Sequence, residues 1–189
     1  MKKVLLWLSM FLLMSMPLLA QDNAKLEVFG GWQYQHLGGD MGYVLGNSLP
    51  VGWNASVTGK INKHLGVTAD FSGNYKSYTN AGIAGHTHLY TFTGGPVYSL
   101  NSESKFNPFV HVLFGGAHVS APYLYNISTN TAQYTSSNGF TTMFGGGVDY
   151  KAKKNIAVRL AQFDWVYYHF SGRSYAGNVR YSSGVVFHF

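Results

Sequence analysis

The chain has 189 residues, no cysteine, and a formal net charge of +6 from 13 Lys and Arg against 7 Asp and Glu. The missing cysteines exclude a disulfide framework, a thiol nucleophile and a thiolate metal site, and the small, scattered basic excess is not the footprint of a nucleic-acid binder. Charged residues are only 11% of the chain, against ~25% in soluble domains, while Gly (23), Tyr (14) and Phe (13) are abundant.

Lys2 and Lys3 precede an apolar run, Val4–Leu13, which Met14–Leu19 continues across Pro17 to the small residue Ala20. Charge, apolar run and small residue in that order read as a secretory signal peptide over residues 1–20, and Val4–Leu19 is short for the ~20 residues of a membrane-crossing helix. Residues 21–189 then form one domain, with no linker and no helix pattern.

Eight segments alternate with a period of two. In Lys25–Gln35, Leu26, Val28, Gly30, Trp32 and Tyr34 oppose Glu27, Phe29, Gly31 and Gln33. Val51–Ile61 sets Val51, Trp53, Ala55, Val57 and Ile61 against Asn54, Ser56, Thr58 and Lys60, and Leu65–Ser77 sets Leu65, Val67, Ala69, Phe71 and Tyr75 against Thr68, Asp70, Ser72, Asn74 and Lys76. His88–Leu100 carries Tyr90, Phe92, Tyr98 and Leu100 on its apolar face and Pro96 in mid-strand, where a ladder hydrogen bond is lost. Asn107–His118 points Val110, Val112 and Phe114 one way and His111 the other. Phe140–Tyr150 places Phe140, Phe144, Val148 and Tyr150 opposite Thr141, Met143 and Asp149. In Asn155–Phe170 the phase set by Ile156, Val158 and Leu160 against Arg159 fails near Gln162. A bulge there puts Phe163, Trp165 and Tyr167 on the apolar face and Asp164 on the other. Val179–Phe189 ends the chain with Tyr181, Ser183, Val185, Phe187 and Phe189 on one face.

The connections alternate in length. Asn62–His64, the segment near Asn101–Lys105, and Lys151–Lys154 are short and polar, whereas His36–Pro50, Thr79–Thr87, Val119–Asn138 and Ser171–Asn178 read as longer loops. Short turns at one end and long loops at the other are the mark of an all-β, eight-stranded antiparallel up-and-down transmembrane β-barrel. A sheet crosses hydrocarbon only when it closes and pairs all its backbone groups. Trp32, Tyr34, Trp53, Tyr75, Tyr98, Tyr150, Tyr167 and Tyr181 lie near strand ends on the apolar phase, as interfacial girdles do. Glu27, Lys60, Asp70, Lys76, Asp149, Arg159, Asp164 and Arg180 share the opposite phase. They are expected to pair across the lumen as a polar plug, with Lys60 and Lys76 solvated at its mouths and Glu27, Asp149, Arg159 and Arg180 inside. Such a plug argues against a general pore.

With its signal peptide, its alternating segments, Phe106–Gly116 with its Pro-Phe start, the run Gly145–Asp149 and the ending Gly184–Phe189, the chain resembles the small eight-stranded outer-membrane barrels of the OmpA-transmembrane-domain and OmpX type. The resemblance implies the outer membrane of a Gram-negative-type bacterium, both termini in the periplasm, and contact with outer-membrane lipids and lipopolysaccharide. It also implies recognition of Phe189 by the barrel assembly machinery, and a monomer. It implies no catalysis and no cofactor. The expected role is non-enzymatic surface interaction, with Tyr123, Tyr125 and Tyr134 of the Val119–Asn138 loop as the binding residues.

Two alternatives stay open. His169-Phe170-Ser171 resembles the His-x-Ser pair of outer-membrane lipid A deacylases, although Gly172 stands where those enzymes carry Asn and the last strand lacks their acidic member. Such chemistry needs the base within hydrogen-bond reach of the hydroxyl. Gly30-x-Trp32 resembles the Gly-x-Trp of lipocalins, soluble barrels that carry apolar ligands; which face points outward decides that case. His86 and His88 share a face without a carboxylate nearby, which is weak support for a metal. Gly94-Gly95 and Gly145–Gly147 lie inside strands with no following helix, so they are not phosphate loops.

Overall fold

A computed structural model describes residues 26–80, 82–100, 104–126 and 128–189; the signal-peptide reading of 1–20 falls outside them. Its elements are β1 (Leu26–His36), α1 (Gly39–Leu45), β2 (Ser48–Leu49), β3 (Val51–Lys60), β4 (Leu65–Asn80), β5 (Ile83–Ser99), β6 (Phe106–Asn126), β7 (Thr131–Lys153), β8 (Ile156–Phe170) and β9 (Arg173–His188). The two-residue β2 pairs only with β1, through Gln35–Leu49 and His36–Ser48. The other eight strands are the alternating segments. Each pairs antiparallel with its neighbour, and β1 pairs with β9 from Glu27–His188 to His36–Val179, which closes the ring. Leu26 and Phe189 are latched together, Leu26 N–H to Phe189 C=O at 3.3 Å and Phe189 N–H to Leu26 C=O at 2.8 Å.

The faces come out as the sequence phase demands. Phe71, Phe92, Phe114, Phe144 (63% exposed), Phe163 and Trp165 (60%) project outward, while Gln33, Asn54, Asp70, Asp149, Arg159, Asp164 and Arg180 are buried inside. An apolar outside around a charged inside is the reverse of a lipocalin, and that alternative is overturned. Trp53 Nε1–H donates to Tyr75 Oη at 3.0 Å on the outer wall, and Trp32 packs edge-on against Tyr181 at 6.0 Å, as girdle aromatics do. The β5–β6 ladder is interrupted between Gly94–Phe114 and Val97–His111, around Pro96.

The expected bulge is present. Arg159 pairs with Asp149 and Gly184, while Ala161 pairs with Val148 and Gln162 with Gly147 and Ser182, so β8 holds one residue more than either neighbour. The extra residue turns both Arg159 and Gln162 into the lumen.

Three expected loops are corrected. Within 79–87, β4 and β5 run on to the pair Asn80–Ile83, with Gly82 in the connection at φ +83°. Within 119–138, β6 and β7 continue to the pair Asn126–Thr131. Within 171–178, β8 and β9 meet at Phe170–Arg173, where Ser171 (φ +49°) and Gly172 (φ +78°) make the two-residue turn whose twist suits a hairpin. These strand ends rise past the apolar belt, where both faces are wet and the period of two disappears. The fourth loop, 36–50, contains α1, a helix the sequence pattern did not show.

Candidate functional site

The lumen divides into two halves, one toward the termini and short turns (the terminal end) and one toward the opposite, loop end. In the terminal half the wall residues form one ionic network. Arg180 Nη1–H donates to Asp70 Oδ1 at 2.8 Å and Nε–H to Asp164 Oδ2 at 2.6 Å. His111 Nε2 lies 2.7 Å from Asp164 Oδ1, and Gln162 Nε2–H donates to Asp164 Oδ2 at 2.8 Å. Arg159 grips Asp149 with two bonds, 2.8 and 3.0 Å, and gives a third to Gln162 Oε1 at 2.7 Å. The Arg159 guanidinium is clamped between the rings of Phe29 (4.4 Å) and Phe109 (4.3 Å). Gly145 and Gly147 make the room: a side chain at the first would meet Asp164, and at the second the Phe109 ring.

Toward the mouth, Lys60 lies 3.3 Å from Glu27 and donates to Ser99 Oγ at 2.8 Å. Lys60 is therefore paired rather than solvated, a correction to the sequence expectation. His188 Nδ1 lies 3.3 Å from the same carboxylate oxygen, so Glu27 holds both groups. Lys76, also expected to be solvated, is half-buried with its ammonium beside Gly46. The cavity left among these groups is about 20 Å³, room for roughly one water. The network is a plug and not a ligand chamber.

The loop half is apolar, which the polar-plug expectation did not anticipate. Leu89, Leu113, Ala117, Met143, Val166, Tyr168 and Phe170 face inward, and Leu37, Met41 and Leu49 of the β1–β3 connection descend onto them. This stopper is pinned by two buried asparagines. Asn178 Oδ1 accepts from Gly38 N–H at 3.1 Å while its Nδ2–H groups donate to the Val166 and Tyr175 carbonyls. Asn74 donates to the Leu49 carbonyl at 3.3 Å and accepts from Gln33. Tyr43 (91% exposed) and Val44 ride on the outer side of α1.

Above the stopper, β6 and β7 rise as a ribbon. Tyr123, Tyr125 and Tyr134 lie on its strands rather than in a loop. Tyr123 donates to Gln133 Oε1 at 2.8 Å, and Tyr134 Oη accepts from His86 N–H at 3.3 Å. Tyr125 is half-buried, its ring against Gly85, so it belongs to the support and leaves Tyr123 and Tyr134 as the exposed pair. Leu124 is exposed beside them. Pairing of β7 with β8 begins only at Gly139–Phe170, so Thr131–Asn138 has no strand on that side.

His169 and Ser171 are not brought together. Ser171 Oγ is 3.0 Å from Ser137 Oγ, while His169 Nδ1 is 3.1 Å from Ser174 Oγ, which also accepts from Tyr167 Oη. The turn at Ser171-Gly172 points the serine toward β7 and away from the histidine. Among the described residues no group of three or more His, Asp or Glu is arranged to hold a metal.

A family model for the outer membrane protein beta-barrel domain matches residues 6–189. The chain belongs to this outer-membrane β-barrel family. Its fold is similar to that of Ail of Yersinia pestis, solved in complex with the heparin analogue sucrose octasulfate (TM-score 0.64, 17% identity, 89% of this chain and 100% of that one). Neisserial surface protein A is similar to the same degree (TM-score 0.63, 14% identity, 89% and 100%). OprG of Pseudomonas aeruginosa follows (TM-score 0.55, 12% identity, 89% and 97%). At these identities the likeness is one of fold. Among curated proteins none matches the sequence. Family membership places this barrel in the outer membrane, with its apolar belt toward lipid.

Proposed function

We propose that this outer-membrane barrel is a non-enzymatic, monomeric surface protein that presents the β6–β7 ribbon to protein partners, with both termini in the periplasm and the loop end outside. Phe189 is then the contact for the barrel assembly machinery, and lipopolysaccharide surrounds the loop-end wall. The observation that carries the reading is the contrast between a lumen filled from end to end and a ribbon that outruns its neighbours.

The ribbon suits a protein partner. Residues 119–138 contain no charged side chain, and exposed Tyr123, Leu124 and Tyr134 are of the kind that concentrates in interface centres. The unpaired edge of β7 carries neither Pro nor charge to discourage pairing with another strand, so an extended peptide can add to it. A polyanion is poorly served: the loop-end segments offer Lys76 and Arg173 as their Lys and Arg side chains. The heparin analogue seen on Ail is therefore not carried over to this chain.

The test places an epitope in the 128–130 turn and, separately, replaces 121–134 by a short turn. The epitope is expected to be accessible on intact cells, and the shortened protein to lose about tenfold in adhesion to protein-coated surfaces with heparin-coated surfaces unaffected. An inaccessible epitope, or adhesion unchanged after shortening, overturns the proposal. Ser171→Ala is expected to leave lipid A acylation unchanged; a change overturns the non-enzymatic reading.

A further inference from the structure

The aromatic wall has a notch at Gly116. This glycine of β6 stands between Phe92 of β5 and Phe140 of β7, its partners in the ladder, with Phe114 two residues away along β6. All three rings are exposed on the lipid-facing wall. A side chain at Gly116 would meet only the Gly139 carbonyl, at 3.8 Å, so nothing fills the gap. The result is a groove of about 390 Å³ whose lining includes Trp53, Tyr90, Phe92, Gly116, His118 and Asn138. The next outward row toward the loop end is the border of the belt. It carries Trp53, which donates to Tyr75, and then Tyr90, His118 and Asn138, paired in that order. One row further, Ser120 pairs with Ser136, and the wall is polar.

We infer that this notch seats one acyl chain of an outer-leaflet glycolipid, with the amide-linked, hydroxylated end of that chain held by His118 and Asn138. Family membership turns this wall toward lipid, so hydrocarbon covers the groove. Lipid tails are as apolar as the wall, and a preference among them comes from packing and polar contact. A chain laid on Gly116 gains dispersion contact with Phe92, Phe114 and Phe140 at once. Its head end then lies at the border row. There His118 Nδ1–H donates to Asn138 Oδ1 at 2.7 Å, and neither side chain makes another hydrogen bond among the described residues. Asn138 Nδ2 is left as a donor beside His118 Nε2, an acceptor in the neutral ring. A donor beside an acceptor matches a hydroxyl or a secondary amide, each of which offers both. The ester end of a glycerophospholipid chain offers acceptors alone and leaves Nε2 without a partner. No Lys or Arg lines the groove, so a phosphate finds no cation there. The matching chemistry is an amino sugar N-acylated by a β-hydroxy fatty acid.

The choice of leaflet rests on the proposed orientation, with the loop end outside, so the two are tested apart. Orientation is read from the epitope on intact cells. Lipid binding is read by native mass spectrometry of the folded barrel in detergent, where no sidedness exists. The probes are glucosamine N-acylated by a β-hydroxy fatty acid and phosphatidylethanolamine of the same chain length, in equal amounts. The wild type is expected to retain the glycolipid over the phospholipid by about fivefold, the worth of one added hydrogen bond. His118→Phe keeps a ring but removes both nitrogens, and is expected to bring the ratio to about one. Gly116→Leu fills the notch and is expected to lower retention of both lipids by about threefold. Gly30→Leu is the control, because Gly30 is also outward with open space beyond it, and it is expected to change neither. Heat-dependent gel mobility verifies that each variant is folded; if Gly116→Leu is not, Gly116→Ala is expected to halve retention. A wild-type ratio near one, a preference that survives His118→Phe, or retention unchanged by filling the notch overturns the inference. Barrel dimers that Gly116→Leu abolishes also overturn it and give the notch to a second copy of the chain.

Discussion

Strand β8 runs through both halves of the lumen and changes chemistry half-way. Its inward residues are Arg159, Gln162 and Asp164 in the terminal half, then Val166, Tyr168 and Phe170 in the loop half. The first three close the lumen with wall residues alone, because charged and amide side chains find partners on β6, β7 and β9, and Arg180 of β9 carries the network on to Asp70 of β4. The second three cannot: apolar side chains from the wall leave a void, and the 37–49 segment has to descend to fill it. A polar plug is specified by pairs, an apolar one by volume.

The comparison is broken most sharply at Arg180, which is fully buried between Asp70 and Asp164. Arg180→Met leaves two carboxylates facing each other without their cation, so the loss is set by uncompensated buried charge, about 4 kcal/mol. The midpoint of the heat-dependent mobility shift is expected to fall steeply. In the apolar half, Leu113→Ala creates a cavity under the stopper and is expected to cost about 3 kcal/mol by urea unfolding in detergent. The size dependence distinguishes the halves: Leu113→Met is expected to be nearly silent, whereas no apolar side chain replaces Arg180 silently while both carboxylates remain. The smallest effect is expected at the mouth. Lys60→Met removes one partner of Glu27, but His188 stays on the carboxylate, so the change is expected to be about 1–2 kcal/mol. A loss at Lys60 as large as that at Arg180 would erase the distinction between mouth and interior.

The wall was legible in the sequence because a half-buried strand repeats every two residues whatever its neighbours do. Even the bulge at Leu160–Gln162 was visible, as a failure of phase between Arg159 and Asp164. The inward charges were legible as a set, and so was their pairing, although only Arg180 reaches across the lumen, to Asp70, while Arg159 pairs with Asp149 on the adjacent strand; Lys60 was misjudged because its partner Glu27 lies on another strand at a level the sequence does not give. The ribbon was read as a loop because residues 119–138 are wet on both faces and carry no alternation. Helix α1 was invisible for another reason. Gly39–Leu45 is seven residues with two glycines and no side-chain N-cap, so nothing local favours it. It exists because Leu37, Met41 and Leu49 find the inner wall of β5 to β8. Of the three tyrosines chosen from the sequence, two are exposed, and the burial of Tyr125 against Gly85 depends on strand register that composition cannot reveal.

The stopper also sets an order of events. Its residues belong to the first connection in the chain, yet their seat is built by Leu89, Leu113, Met143, Val166 and Tyr168, and the anchor at Gly38 comes from Asn178 on the last strand. These contacts span most of the sequence, and such contacts form late. Until β5 to β8 have paired, Leu37, Met41 and Leu49 have no seat, and until β9 is in place they lack the anchor at Gly38. A barrel whose last strand has not joined therefore leaves the stopper unpinned, and a pinned stopper is the mark of a completed wall.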